Sequence, residues 1–415
     1  MIGIDVVEIS RFRDMKNLEM FIHRVFTKNE AEYFATKTAA KNFYETVAGH
    51  YAAKEAFSKA LGTGVRGFNL NNIEVCHDEM SMPYIRFGGA RVNASLSISH
   101  SGTVAVAVVY IAENVPETGL PVYAGLDLYA RLLPVRSDDC HKGDCGRVFV
   151  VGGSRGMIGA PCLAATGAMR TGSGLVTVGT PESQQPIAVV KLTEAMTVPL
   201  PETENGILSL EALGMIKSGV SKSDVCVFGP GLSQNEDIPK LIDSLISGST
   251  DFVIDADGLN AIAENMDILR KHKNRLSCNI VVTPHPGEMS RLCGTSVEAV
   301  ENDRTGAAVE FAEEYGVVTV LKGKDTVIAA PDGRVHVNNS GNSAMATGGM
   351  GDVLSGVIGS FMGQGLDTYR AAVLGVFVHG VAGDLARKEI GDRGILASDL
   401  ADRIPKAIRL VKNAE

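Results

Sequence analysis

The sequence predicts a compact α+β domain followed by a larger α/β domain with a mostly parallel sheet. Three observations carry this. A chain of 415 residues is long enough for two or three domains, each with its own core. It holds 46 glycines and no tryptophan, a skew that fits many βα turns and close backbone approaches to ligands. From Gly146 onward, short apolar runs alternate with glycine turns and helical stretches: RVFVVGG, GLVTVGTP, DVCVFGPGL, FVIDADGLNAI, IVVTPHPGE and VVTVLKGKD. That alternation is the pattern of βαβ units, a parallel sheet covered by helices on both faces.

Taken in order, Ile2–Ile9 reads as a strand and Asn42–Leu61 as a helix. Ala52, Ala53, Ala56, Phe57, Ala60 and Leu61 supply most of the helix's apolar face, and Gly62-Thr63-Gly64 ends it. Strands follow at Ile73–Cys76, Ser95–Ser99 and Thr103–Ile111, the last rich in β-branched residues. Prolines at 116, 121 and 134, two glycines and a short helix mark a connection. The first domain is therefore expected over residues 1–112, a linker over 113–135 and the second domain over 120–411. In the second, ligands are expected beyond the carboxyl ends of the strands, where the listed turns carry Gly, Asp, His and Lys.

Composition excludes several classes. With 45% hydrophobic and 21% charged residues, the chain is neither a disordered polymer nor a membrane protein. No apolar run of about 18 residues is present, and the N-terminus MIGIDVVEISRF lacks the basic start and apolar core of a secretory signal. A cytoplasmic protein is expected. The net charge of -9 argues against a nucleic-acid partner. It is uneven: residues 1–113 hold 12 basic and 12 acidic side chains, and the remainder 27 against 36. Different partners are implied for the two parts. Seven scattered cysteines suit reduced thiols. Cys140 and Cys145, flanking His141, read either as a metal clip or as a loop with idle thiols.

The first candidate site is a strand acid and a helix acid. Asp5 lies on the first strand, and Glu55 and Lys59 share a helix face four residues apart. In isolation Glu55 and Lys59 read as a solvated pair. Alternatively, Asp5 and Glu55 converge on Mg²⁺, an ion commonly held by one or two carboxylates and substrate phosphates, with Lys59 one turn away.

The blocks GIDVVEISRF, RVFTKNEAEYF, YAAKEAFSKALGTG and SLSISHSGTVAVAVV, in that order, resemble holo-[acyl-carrier-protein] synthase, the trimeric 4'-phosphopantetheinyl transferase, over residues 1–112. The resemblance implies transfer of 4'-phosphopantetheine from coenzyme A to a serine of apo-acyl carrier protein. It further implies Mg²⁺ on Asp5 and Glu55, Lys59 on the leaving phosphate, and His100 near the coenzyme. Arg11 and Arg24 match basic positions that meet the acidic carrier, although each alone reads as a surface charge. The family commonly has Arg before AAKEA, and this chain has His50 there; a neutral His would hold a coenzyme phosphate less firmly than a guanidinium.

The second candidate site is GNSAMATGGMGDVLSG (341–356). Gly348, Gly349 and Gly351 are expected to open a helix beginning with Asp352, so that N–H groups and the helix dipole converge on an anion. An acid there is placed to take a hydroxyl proton while the amides hold a phosphoryl group. Alone, G-x-G-D reads equally as a helix cap with packing glycines. RVFVVGGSRGMIGA spaces its glycines at 153, 156 and 159, which matches neither G-x-G-x-x-G nor a Walker loop.

The ordered set HKGDCGRVFVVGGS, RTGSGLVTVGTP, VFGPGL, DADGLNAI, TPHPGEM, LKGKDTVIAAPDG, NSAMATGGMGDVLSG and VHGVAGD resembles the ADP-dependent (S)-NAD(P)H-hydrate dehydratases, which have a ribokinase-like fold, over residues 120–411. This implies repair of hydrated NADH or NADPH at the expense of ADP, with Mg²⁺, giving AMP and phosphate; ATP as the donor stays open. By motif position Ala160, Gly231, His285 and Asp352 contact the hydrate. Lys322, Gly323, Lys324, Asp325, Thr326 and Gly351 hold the adenine nucleotide, and the Gly349 and Gly351 amides hold the transferring phosphoryl. A homo-oligomer is expected. The alternative is a ribokinase-like small-molecule kinase with a non-catalytic carrier-binding or oligomerising module at its N-terminus.

Overall fold

A computed structural model describes residues 2–61, 69–78, 82–88, 90–92, 94–111, 123, 126–275 and 278–413. The chain divides into two compact units, 1–127 and 128–415. The expected helix stop at 62–64 and most of the expected linker, including Pro116 and Pro121, lie outside the described residues.

The first unit sets two small antiparallel sheets against one long helix. Strands β1 (Ile2–Glu8), β2 (Ile73–His77), β3 (Pro83–Phe87), β4 (Ala90–Arg91), β5 (Ala94–His100) and β6 (Val104–Ile111) pair in the orders β1-β6-β5 and β2-β3-β4. Helix Ala40–Ala60 covers the first sheet, with Ala52, Ala53, Ala56, Phe57 and Ala60 at no more than 1% exposure. The alanines allow a close helix–sheet approach, and Gly3 completes it: a side chain there would lie 1.9 Å from the Ala56 carbonyl oxygen. The alternation on β1 is inverted relative to a solvent-facing strand. Gly3, Asp5 and Val7 point to the helix side, while Ile2, Ile4 and Val6 are 66%, 53% and 58% exposed. Register places these opposite Tyr110, Val108 and Val106, so the outer face of this sheet is apolar. Two helices that the apolar pattern did not announce, Leu18–Val25 and Lys28–Ala35, pack against each other, the second also on the long helix and β2.

The second unit is a nine-stranded sheet of β7 (Arg147–Val151), β8 (Leu175–Pro181), β9 (Met196–Leu200), β10 (Val225–Phe228), β11 (Asp251–Ile254), β12 (Ile280–Val282), β13 (Val318–Leu321), β14 (Val327–Ala329) and β15 (Val335–Val337). The order is β15-β14-β13-β12-β11-β10-β7-β8-β9. β7 to β13 are parallel, and β14 and β15 add an antiparallel edge. The central strands are buried on both sides, as continuous apolar runs require. From β7 the chain builds outward to β8 and β9, then returns to β10 on the other flank. The point between β7 and β10 is a topological switch, where a parallel sheet opens a crevice at its carboxyl ends. Helix Met350–Gly363 crosses helix Gly159–Thr171 at backbone contact, since a side chain at Gly356 would lie 1.9 Å from the Ala164 carbonyl oxygen. Among the described residues no helix is long and apolar enough to cross a membrane.

Candidate active site

The carboxyl ends of β7, β10, β11, β12 and β13 converge on the N-terminus of helix Met350–Gly363. After β7 and β10, two glycine turns meet across the switch point: Gly153 donates its amide to the Pro230 carbonyl at 2.9 Å. A side chain at Gly231 would lie 3.0 Å from the Ala160 Cβ, so the structure brings Ala160 and Gly231 together. Ser233, two residues on, donates its amide to Asp257 at 2.8 Å.

β11 is followed directly by Asp255, which is 1% exposed and whose carboxylate accepts from Lys322 Nζ at 2.7 Å. Lys322 follows β13 and also lies 3.8 Å from Glu288. Arg304 fixes this strand end by donating to the carbonyls of Leu321 and Lys322 at 3.0 and 3.2 Å. Burial pushes the Lys322 ammonium down, but Asp255 and Glu288 outweigh it and leave the pKa above the ordinary lysine value. The ammonium therefore stays charged within a carboxylate cluster.

His285 caps the helix Pro286–Cys293 that follows β12. Its Nδ1 accepts from the amides of Gly287 and Glu288 at 3.0 and 3.3 Å. An Nδ1 that accepts carries no proton, and burial and Lys322 hold the imidazole below its usual pKa. The neutral ring therefore presents Nε2–H, 3.5 Å from Glu288 and half exposed. Glu288 returns a bond from the His285 amide at 2.8 Å, and burial pushes its pKa up to about 7.

Asp352 lies in the first turn of its helix. The helix begins at Met350, two residues earlier than expected, because Gly349 adopts φ 91° and serves as the cap. A side chain at Gly349 would lie 2.6 Å from Leu163 and 3.1 Å from Ala397. No side chain caps this N-terminus among the described residues, so its first amides are free to hold an anion. Burial raises the Asp352 pKa to about 7; Asp255 adds to the shift and Lys322 opposes it. Gly351 sits beneath the lysine, where a side chain would lie 3.2 Å from Nζ. His379, fully buried and held near pKa 4 by its burial, stays neutral and donates Nε2–H to the Met350 carbonyl at 3.0 Å.

Of the expected nucleotide segment, Lys322 belongs to this charged centre. Gly323, Lys324 and Asp325 are exposed beside it, and Thr326 is 8% exposed and bonds back to the Gly323 carbonyl at 2.9 Å. Asp255, Glu288 and His379 were not singled out by sequence. Asp255 follows an apolar strand directly and Glu288 stands three residues from His285, positions that strand ends and helix caps make visible.

In the first unit, Lys59 Nζ contacts Asp5 at 2.7 Å and the Ile4 carbonyl at 3.1 Å. The Lys59 side chain is 52% and the Asp5 side chain 14% exposed. Glu55, one turn earlier on the helix, is partly exposed and adjoins Tyr51, whose ring stacks under Arg11 at 5.3 Å. Arg11 thus lies near Glu55, and Arg24 is exposed on the last turn of its helix. The two histidines expected at the coenzyme lie elsewhere in this unit. His50 is 2% exposed on the inward face of its helix, with Nδ1 3.2 Å from Glu30. Glu30 in turn accepts from the fully buried Lys54 at 2.7 Å. His50 is thus part of a buried charge cluster and has no open face for a coenzyme phosphate. His100 contacts Glu45 at 3.6 Å, ten positions before Glu55 and so roughly 15 Å along the helix.

Comparison with known proteins matches each unit to a family. Residues 148–406 match the family model for NAD(P)H-hydrate dehydratase, and residues 1–109 that for the 4'-phosphopantetheinyl transferase superfamily. A bifunctional NAD(P)H-hydrate repair enzyme of Moorella thermoacetica is 45% identical over 278 residues, 67% of this chain and 52% of that protein. The ADP-dependent (S)-NAD(P)H-hydrate dehydratase of Neisseria meningitidis is 37% identical over 69% of this chain and 91% of its own length. The Bacillus subtilis ADP/ATP-dependent NAD(P)H-hydrate dehydratase, co-crystallized with ATP/Mg²⁺, superposes with a TM-score of 0.60 at 30% identity, covering 72% of this chain and 100% of that one. The chain spans about half the length of the bifunctional relatives it matches, 52% and 53% for the first two.

Proposed function

The chain belongs to the NAD(P)H-hydrate dehydratase family, with an N-terminal domain of the 4'-phosphopantetheinyl transferase superfamily; on that premise we propose a two-site enzyme. The second unit dehydrates NADH or NADPH hydrate at the expense of ADP. The first transfers 4'-phosphopantetheine from coenzyme A to an apo-acyl carrier protein. One observation carries the dehydratase reading: Asp352, with its pKa near 7, stands in the first turn of an uncapped helix beside the Lys322 ammonium.

Hydroxide is a poor leaving group and phosphate a good one. Asp352 takes the proton of the ring hydroxyl, and the oxygen attacks the β-phosphoryl of ADP as AMP departs. The Gly349 to Gly351 amides hold the transferring group, and Lys322 balances its charge. The ring nitrogen then expels phosphate, and loss of a ring C–H proton restores the double bond. His285 Nε2–H orients the hydrate, and Ala160 and Gly231 contact it from the turns after β7 and β10. The exposed Gly323–Asp325 loop and Thr326 border the nucleotide. Mg²⁺ accompanying the nucleotide supplies further neutralisation of phosphate charge.

For the transferase, Asp5 and Glu55 would hold Mg²⁺: Asp5 already accepts a half-exposed ammonium, and Glu55 stands one helical turn before that lysine. When bound, the ion neutralises pyrophosphate charge and acidifies a water. Lys59 stabilises the leaving adenosine 3',5'-bisphosphate, and Arg11 and Arg24 face the acidic carrier. The apolar outer face of β1 and β6 suits a homo-oligomer formed by copies of this unit.

A paired assay on one preparation tests both readings. Apo carrier with coenzyme A is followed by mass, and NADH hydrate with ADP by recovered absorbance of reduced nicotinamide. Release of free phosphate with restored NADH supports the dehydratase, whereas a stable phosphorylated product selects a kinase. Coenzyme binding without carrier modification reduces the first unit to a binding module.

A further inference from the structure

The loop before β7 brings two thiols together. Cys140 and Cys145 have their sulfurs 3.4 Å apart, and Arg136 Nε donates to Cys140 Sγ at 3.3 Å. Cys140 is partly exposed and Cys145 buried. The loop is held in this shape from inside and outside. His141 donates its amide to the Asp144 carboxylate at 2.9 Å, and the Cys145 carbonyl accepts from Gly174 at 3.1 Å. Closing to a covalent bond of about 2 Å requires a shift of roughly 1.4 Å, within reach of side-chain rotation.

We propose that Cys140 and Cys145 form a peroxide-reactive dithiol that closes reversibly to a disulfide. The Cys140 thiolate attacks one peroxide oxygen, the O–O bond breaks, and the departing alkoxide or hydroxide takes a proton, leaving a sulfenic acid on Cys140. The Cys145 sulfur then attacks that sulfenic sulfur, the S–S bond forms, and the hydroxyl leaves with the Cys145 proton as water. Two thiols lose two electrons, and the peroxide is reduced to an alcohol, or to water, plus one water. The roles follow from the surroundings. The Arg136 hydrogen bond, then that from Cys145, holds the Cys140 thiol below its usual pKa, while Cys145 is raised. The other cysteines are unsuited. Burial raises Cys76, Cys162 and Cys226, Cys278 is buried beside His272, and Cys293, though exposed, is pushed up to about 11 by desolvation and nearby glutamates.

The test treats the full-length protein with hydrogen peroxide, alkylates with N-ethylmaleimide and maps tryptic peptides. Lys142 lies between the two cysteines, so cleavage leaves two peptides joined only through the disulfide. The expected result is loss of two maleimide additions, a linked pair containing Cys140 and Cys145, and reversal by dithiothreitol. Cys145→Ser should stop at a dimedone-trappable sulfenic acid on Cys140, and Cys140→Ser should retain full alkylation at Cys145. Arg136→Ala should slow closure about threefold for each pKa unit restored, because a smaller thiolate fraction is partly offset by greater nucleophilicity. Both cysteines remaining alkylatable after peroxide, a crosslink to Cys293 instead, or one Zn²⁺ retained per chain with the thiols unreactive would each overturn the proposal.

Discussion

The two candidate centres differ in depth. In the second unit, five strand ends and a helix N-terminus crowd Asp255, Glu288, Asp352 and Lys322 together, and burial holds Glu288 and Asp352 near pKa 7. In the first, a strand acid and a helix lysine meet at the surface, with the lysine 52% exposed. A small substrate that must shed water fits a buried centre whose acids rest near their neutral form. A coenzyme arm delivered to a folded carrier fits an open one. Depth, more than residue type, separates the proposed chemistries, since carboxylates and lysines build both.

The largest effect should come from Asp352→Asn. Hydrate dehydration should fall about 10³-fold while carrier modification stays unchanged; parallel loss of both would break the separation of sites. Next, Asp5→Asn should lower carrier modification about 10²-fold, measured by carrier mass gain at fixed Mg²⁺, with dehydration intact. Unchanged modification would remove Asp5 from the metal site. Third, Gly3→Ala forces a methyl to within 1.9 Å of the Ala56 carbonyl. It should destabilise the first unit by about 1–3 kcal/mol, shifting its denaturant midpoint and leaving that of the second unit in place.

The smallest of these effects is in pH. A base with its pKa near 7 is ionised above that value, so dehydratase kcat/KM should fall about tenfold per pH unit below 7. Carrier modification should show no such break on account of Asp352. Stability runs the other way. A carboxylate whose pKa is raised on folding favours the native state fully below pH 4 and loses that contribution as pH climbs to about 7. Asp352→Asn should therefore gain stability relative to the parent at pH 8 and little at pH 4, as read by thermal unfolding.

Strands and the parallel sheet were legible because they are local. The Ile2–Ile9 expectation became Ile2–Glu8, the Asn42–Leu61 helix became Ala40–Ala60, and the glycine-turn alternation became β7 to β13. The antiparallel edge of β14 and β15 was not, since three-residue strands carry too little pattern to show direction. In the second site, local glycine spacing pointed to Gly349 and Asp352. Asp255 escaped notice because its partner Lys322 lies 67 positions away and only sheet order makes them neighbours. The burial of His50 was not legible either: a position in a motif says nothing about which side of a helix faces inward, and Glu30, twenty residues earlier, holds the ring in the core.

The outward row of Ile2, Ile4 and Val6 has one more consequence. If copies of the first unit cover that face for one another, its unfolding is a reaction whose molecularity exceeds one, and mass action enters its midpoint. Dilution should then lower the unfolding temperature of the first unit and leave that of the second where it was. The durability of one unit becomes a property of how much protein is present, while the other carries its own.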